Sequence, residues 1–220
     1  MKGPYRTLYA DPPWSFRDKG SRVAPDSTRK DDRSARSYPT ASTEDICAMP
    51  VGELATPDAV LFLWSTWAHL LDGSAAQVAT AWGFRPVVAV PWIKVSSTST
   101  VSRASWVSHP AVAQLYSHGL KLQIAAGHYV RGVAEPLLIC RRKKTQCVEA
   151  ARRLPGVIAA PRPKGHSSKP QAARVLIESL YPEHSPRLEL FLRGDAPEGW
   201  HGWGNEATGP RALSSLEVNA

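Results

Sequence analysis

An α/β architecture, an open and mainly parallel sheet with helices on both faces in a single domain, is predicted by three observations. Short apolar runs of strand length alternate along the chain with stretches of helical period, the pattern that parallel pairing through crossover connections requires. The 220 residues suit one large α/β domain better than two cramped ones. Hydrophobic residues make up 43% and charged residues 21%, a balance that supports a substantial buried core and excludes wholesale disorder.

Each element has its own signal. Residues 5–10 alternate like a strand and stop at Asp11-Pro12-Pro13-Trp14, a proline-stiffened turn. The polar stretch at about 15–39 carries Arg17, Lys19, Arg22, Arg29, Lys30, Arg33 and Arg36 with almost no aliphatic residue, so a mobile surface loop is expected. Thr43-Glu44-Asp45-Ile46 opens a short helix, and 59–64 is a buried strand. Residues 67–82 read as one helix closed by Gly83, and 87–93 as a third strand. A second long loop, about 95–110, is rich in serine and threonine. Beyond it 135–140 is strand-like, 171–180 is helical after Pro170, and 187–192 alternates like a strand. The tail at 210–220 has no period and is expected to be flexible, which leaves 1–209 as the folded domain.

Several function classes fall away on composition. No apolar run approaches the ~18 residues needed to cross a bilayer, and the N-terminus lacks the apolar stretch of a secretory signal, so no membrane partner and a cytoplasmic location are expected. Cys47, Cys140 and Cys147 are odd in number and form no CxxC pair, which suggests reduced structural thiols and no metal site. The 27 Lys+Arg against 19 Asp+Glu give a net charge of +8, a balance that favours polyanion partners through counterion release.

In an open parallel sheet ligands sit outside the carboxyl ends of the strands, where Asp11, Trp64 and Lys94 are all expected to emerge. The corner at Asp11 suggests a specific chemistry. An exocyclic aryl amine such as that of adenine is a weak nucleophile, because its lone pair is delocalised into the ring. A carboxylate and a backbone carbonyl that accept hydrogen bonds from both amine protons would localise that lone pair and stabilise the positive charge that develops as a methyl group arrives. Asp11 and the Pro12 carbonyl are the candidate acceptors. Pro12 and Pro13 lack N–H donors and have fixed φ, so they are expected to hold these acceptors rigidly without competing internal hydrogen bonds. Trp14 is expected to offer a flat face to an extruded base.

The pattern extends along most of the chain. It runs through Tyr9-Ala10-Asp11-Pro12-Pro13-Trp14, Ser37-Tyr38-Pro39-Thr40, Leu61-Phe62-Leu63-Trp64-Ser65-Thr66 and Trp92-Ile93-Lys94. It continues through Gly127-x-x-x-Arg131-x-x-x-Glu135-x-Leu137-Leu138, His166-Ser167-Ser168-Lys169-Pro170, Leu188-Glu189-Leu190-Phe191-x-Arg193 and Trp203-Gly204-Asn205. In this order of motifs the chain resembles the DPPW-type adenine N6-methyltransferases, which include the catalytic subunit of the eukaryotic mRNA adenosine methyltransferase and bacterial and phage relatives. The resemblance implies transfer of a methyl group from S-adenosylmethionine to the exocyclic amine of adenine, without a metal, on a Rossmann-like sheet. It implies cofactor contacts from Tyr9, Ala10, Asp11, Lys169, Arg193 and Asn205, with Glu206 standing where relatives often carry an amide.

Tyr38, Trp64, Lys94, Tyr129, Arg131 and Glu135 are expected on the substrate side. Glu135 stands among apolar residues and needs a partner, for which Arg131 or a nucleotide is a candidate. His128 and His166 are expected to be structural, because the methylated amine can shed its proton to solvent. DNA is the expected substrate and RNA the alternative. A non-catalytic subunit that binds nucleic acid or a partner is the competing class. The loop after Trp14, and a second basic stretch formed by Arg141, Arg142, Lys143, Lys144, Arg152, Arg153, Arg162 and Lys164, suit a phosphate backbone. No separate recognition domain is evident, so a homodimer or a partner subunit is compatible with the chain.

Overall fold

The computed structural model describes residues 4–15, 40–95, 122–123, 130, 132–143, 145, 147, 154–163 and 168–209. The loops expected at about 15–39 and 95–110, apart from Ser15 and Val95, lie outside the described residues, as do the tail and Tyr38, Tyr129, Arg131, His128 and His166.

Seven strands form the main sheet: β1 (Tyr5–Ala10), β2 (Ala55–Trp64), β3 (Arg85–Val95), β4 (Ala134–Arg141), β5 (Ile158–Pro161), β6 (Arg187–Leu190) and β8 (Trp200–Trp203). Their spatial order is β5-β3-β4-β2-β1-β6-β8, and two short strands, β7 (Arg193–Asp195) and β9 (Glu206–Thr208), pair separately. The strands β1, β2, β6 and β8 are mutually parallel, and β3 is parallel to β5. Parallel pairing breaks at β4, which is antiparallel to both β2 and β3. β3 ends and β4 begins at the carboxyl edge of the parallel strands. This reversal puts Glu135, at the start of β4, beside Trp92 near the end of β3.

The sheet is buried on both faces. On one, Leu8, Ala10, Leu61, Leu63, Leu138 and Leu188 pack against the helices α1 (Thr43–Ala48) and α3 (Ser74–Ala81) and the 3₁₀ turn Pro50–Leu54. On the other, Tyr9, Phe62, Trp64, Trp92 and Leu137 meet Ala173 and Ile177 of α4 (Gln171–Leu180). Alternate residues of a strand point to opposite faces, so β1 and β2 read as nearly continuous apolar runs because both of their faces are covered.

Helix starts follow local chemistry. Ser42 caps α1 in a reciprocal box: its hydroxyl accepts the Asp45 N–H at 3.0 Å, and the Asp45 carboxylate accepts the Ser42 N–H at 3.3 Å. The single helix expected over 67–82 is in fact two, α2 (Trp67–Leu71) and α3. Asp72 Oδ1 accepts the Ser74 N–H at 2.9 Å, and Gly73 at φ 85° takes a left-handed turn that breaks the first helix and starts the second. β5, β7, β8, β9 and the 3₁₀ turn had no clear signal in the sequence, being three to five residues each.

Candidate functional site

β1 ends at Ala10, and the chain turns sharply through Asp11-Pro12-Pro13-Trp14. The Trp14 N–H donates to the Pro12 carbonyl at 2.8 Å, the Ala41 N–H to the Pro13 carbonyl at 2.8 Å, and the Ser15 N–H to the Ala41 carbonyl at 3.2 Å. The corner is therefore tied to the residue preceding the α1 cap. It also differs from the expected acceptor geometry, since the Pro12 carbonyl already takes an internal hydrogen bond and one of its two lone pairs is used.

Trp14, expected to offer a flat face to a base, and Trp64, expected on the substrate side, are both buried. Trp14 is 5% exposed; its Nε1 donates to the Trp64 carbonyl at 3.0 Å and its ring lies 4.8 Å from that of His69. Trp64 is fully buried, with Nε1 donating to the Tyr9 hydroxyl at 2.7 Å and its ring edge-on to Trp92. A buried indole needs an acceptor for its one N–H, and each finds it inside the protein, so both indoles brace the corner. Tyr9 and Ala10 are core residues as well, and their side chains contribute to the two packed faces, not to the cavity described below.

A chain of alternating charges lies at the same carboxyl edge. Asp11 Oδ2 accepts the Lys169 ammonium at 2.8 Å, Lys169 reaches Glu135 Oε2 at 3.4 Å, and Glu135 Oε1 accepts Lys94 at 2.5 Å. Among the described residues the partners of Glu135 are thus two lysines. The Arg131 pairing expected from sequence falls outside the described residues. Each lysine also sits over an indole: Lys169 is 5.5 Å from the Trp64 ring and Lys94 is 5.2 Å from that of Trp92.

Burial pushes the Asp11 carboxyl up from its usual value, opposed by Lys169. For Glu135 burial also pushes upward, but the two lysines together outweigh it and hold the carboxyl below its usual value. Lys169 is raised, because Asp11 and Glu135 together overcome the burial that favours its neutral form. These directions describe an ionised Glu135 beside a protonated Lys169 at neutral pH.

Asp11 faces a cavity of about 420 Å³. Pro12, Pro13, Thr40, Ala41, Asp45 and Met49 line it on the β1–α1 side, and Phe191, Leu192, Arg193, Trp203, Asn205 and Glu206 on the β6–β9 side. Three of the residues expected to hold a cofactor, Arg193, Asn205 and Glu206, therefore converge on Asp11; Lys169 does not line the cavity and instead holds Asp11 from the side. Arg193 Nε stands 3.9 Å from Glu206 Oε1. The far wall requires close backbone packing. A side chain at Gly204 would bring its Cβ within 2.6 Å of the Leu192 carbonyl oxygen, so only glycine fits the turn that carries Asn205 and Glu206. Phe191 adopts φ 62°, a left-handed conformation costly for a bulky residue and one often found at ligand sites.

Sequence reasoning missed Thr40, Asp45, Met49, Phe191 and Trp203 as cavity residues. In the sequence Asp45 marks only the first turn of a short helix, and Thr40, Phe191 and Trp203 stand inside motifs without a role of their own. It also missed Trp67, which is 44% exposed at the start of α2 and donates from Nε1 to the Ala134 carbonyl at 3.0 Å, next to Glu135.

The second basic stretch divides. Arg142 donates to the carbonyls of Ala55 at 2.7 Å and Trp82 at 3.2 Å, and also to that of Gly52, with its guanidinium 4.9 Å from the Phe84 ring. It is a clamp between β2 and the end of α3, not a phosphate ligand. Lys143 and Arg162 are exposed, while Lys144, Arg152, Arg153, Lys164 and the basic loop after Trp14 lie outside the described residues. Among the described residues no group of three or more His, Cys, Asp or Glu side chains has metal-site geometry, and no helix is long and apolar enough to cross a membrane.

The sequence pattern of the family described as MT-A70 matches residues 5–206. The chain is also similar to the type II methyltransferase M.MunI of Mycoplasma sp., at 25% identity over 212 residues, which cover 92% of this chain and 77% of that protein.

Proposed function

The chain belongs to the MT-A70 family, and from that premise we propose that it is an S-adenosylmethionine-dependent methyltransferase acting on the exocyclic N6 amine of adenine in nucleic acid, with DNA as the substrate. The observation that carries this proposal is the convergence of Asp11 with Arg193, Asn205 and Glu206 on one cavity at the carboxyl edge of the sheet. Its size lies within the range of about 300–1,000 Å³ typical of small-molecule sites.

The donors of the cavity fit the proposed cofactor. An amino-acid carboxylate suits the Arg193 guanidinium, an ammonium suits Asp11, and ribose hydroxyls suit Asn205 and Glu206, which offer donor and acceptor or acceptor alone. The apolar surfaces of Phe191, Trp203 and Met49 suit a flat purine. When bound, S-adenosylmethionine supplies a methyl group made electrophilic by its sulfonium.

The remaining chemistry belongs to the chain. Lys169 engages Asp11 through Oδ2, which leaves Oδ1 to accept from the target amine. The second lone pair of the Pro12 carbonyl is the other acceptor, held in place by the Trp14 N–H and the Ala41 clamp on the adjacent proline. These two acceptors draw electron density onto the amine nitrogen and stabilise the positive charge it gains in the transition state. The net charge of +8 and the similarity to a type II methyltransferase support a nucleic-acid substrate.

Transfer of labelled methyl groups to DNA and RNA oligonucleotides, by the wild type and by Asp11→Ala, tests the proposal. Label in the adenine of DNA, lost in the variant, is the expected outcome. Label confined to RNA would replace the substrate, and no label in either would leave the non-catalytic subunit as the better account.

A further inference from the structure

The chain of charges contains more than the proposed chemistry uses. Lys169 is a point cation shared unequally between two carboxylates, 2.8 Å from Asp11 and 3.4 Å from Glu135. The imbalance has a visible cause, since the other oxygen of Glu135 is already satisfied by Lys94 at 2.5 Å. The four groups come from the end of β1, the end of β3, the start of β4 and the segment before α4, and are one-third exposed or less. In such a partly desolvated row the charges interact more strongly than on a surface, and a change at one end is transmitted by repartition of the shared cation.

We propose that Lys94 and Glu135 are positioning residues that act on Asp11 through Lys169: while Lys94 satisfies Glu135, Lys169 is released to Asp11, and when Lys94 is withdrawn Glu135 draws Lys169 away. Lys94 and Glu135 stand on the side of the chain away from the cavity, so a ligand arriving there alters the acceptor strength of Asp11 without touching it. The consequence for methyl transfer rests on the proposed role of Asp11. The charge coupling does not.

Among the described residues the groups that act on Asp11 are few. Lys169 and Arg193 favour its ionised form and Glu135 opposes it. Glu189 on β6 and the Tyr9 hydroxyl are the other titratable groups in its field, with Glu189 neutralised by Arg174. None of these others links Lys94 to Asp11 among the described residues, so the coupling has a single proposed route, through Glu135 and Lys169.

The test is a titration of Asp11 in the ligand-free protein, followed by the ¹³C resonance of its carboxyl carbon and assigned with Asp11→Asn. Lys94→Met is expected to raise the Asp11 pKa by about half a unit or more, and Glu135→Gln to lower it by a similar amount. The decisive protein is the double variant. If Lys94 acts through Glu135, Lys94→Met adds nothing once Glu135→Gln is present, whereas direct action through space gives additive shifts. Lys94→Arg is expected to restore the wild-type value, and Lys94→Gln replaces Lys94→Met if that variant does not fold. An unmoved Asp11 in the Lys94 variants, or additive shifts, overturns the proposal. Because no cofactor or nucleic acid is present, failure of methyl transfer would leave this result standing, and failure here would leave the methyltransferase assignment standing.

Discussion

Two partly buried ion-pair systems on the same sheet are built to different plans. On β6, Glu189 receives a forked pair of bonds from Arg174, 2.7 Å from Nε and 2.8 Å from Nη2, so each guanidinium donor has its own carboxylate oxygen. At the carboxyl edge, Lys169 divides one ammonium between Asp11 and Glu135. The forked pair is planar and closed: neither oxygen of Glu189 lacks a partner, and moving either group breaks both bonds. The lysine is a point charge with rotatable donors, and its row can be repartitioned without breaking. Closure suits a strut between α4 and β6, and sharing suits a site where charge has to change. Burial raises both carboxyls, Glu189 and Asp11, yet only Asp11 opens onto a cavity.

That contrast is most sharply broken by mutating one charged group from each system. Asp11→Asn keeps the shape of the corner and removes the charged acceptor; methyl transfer is expected to fall by about 10²–10³-fold or more while the unfolding midpoint changes little. Arg174→Ala is expected to do the reverse. It strands a buried Glu189 charge and lowers unfolding free energy by about 3 kcal/mol in urea titration, while a combined Arg174→Met and Glu189→Met change recovers most of that loss. Equal effects of the two single variants on stability would erase the distinction between strut and site.

A smaller effect tests the packed edge farther from the cavity. His184 is held neutral by burial, with Arg6 and Arg187 adding to the effect, and its pKa is lowered from 6.5 to about 4. A base with a depressed folded pKa contributes stability above its unfolded value and loses it as pH falls, here between about 6.5 and 4. His184→Gln is therefore expected to flatten the fall in urea midpoint over that window, and an unchanged slope would contradict the assignment. The smallest expected effect belongs to Trp14→Phe, which keeps the ring and removes the Nε1 bond to the Trp64 carbonyl. A loss of about 1 kcal/mol in stability is expected, and a loss of nucleic-acid binding without it would return Trp14 to the base.

What the sequence made legible was local. The strand before Asp11, the stiff corner after it, the short helix opened by Thr43-Glu44-Asp45-Ile46 and the helix after Pro170 are each specified within a few residues, and the structure has all of them. The alternation of elements also pointed to the carboxyl edge, where Asp11, Trp64 and Lys94 do lie, and the reversed β4 adds Glu135 to them. The direction of β4 was hidden because its apolar run is the same read either way, and both of its neighbours cover it. The helix break escaped because Asp72-Gly73 interrupts an apolar pattern that runs through it. Lys169 and Asp11 are 158 positions apart and Lys94 and Glu135 are 41 apart, and no spacing rule links residues at such distances. Arg142 and the buried tryptophans show the same limit in reverse, since their residue types suggested ligands and only packing identifies their partners. Tyr38, Tyr129 and Arg131 remain expectations, because they lie outside the described residues.

The central claim is that the cavity beside Asp11 binds the methyl donor, and calorimetric titration with S-adenosylmethionine measures this directly. One saturable site in the wild type is predicted, weakened about tenfold or more when Arg193→Ala removes its cationic wall and unchanged in the Arg174→Met, Glu189→Met protein. Absence of binding heat in the wild type, confirmed by equilibrium dialysis, or equal binding by the Arg193→Ala protein, would contradict it.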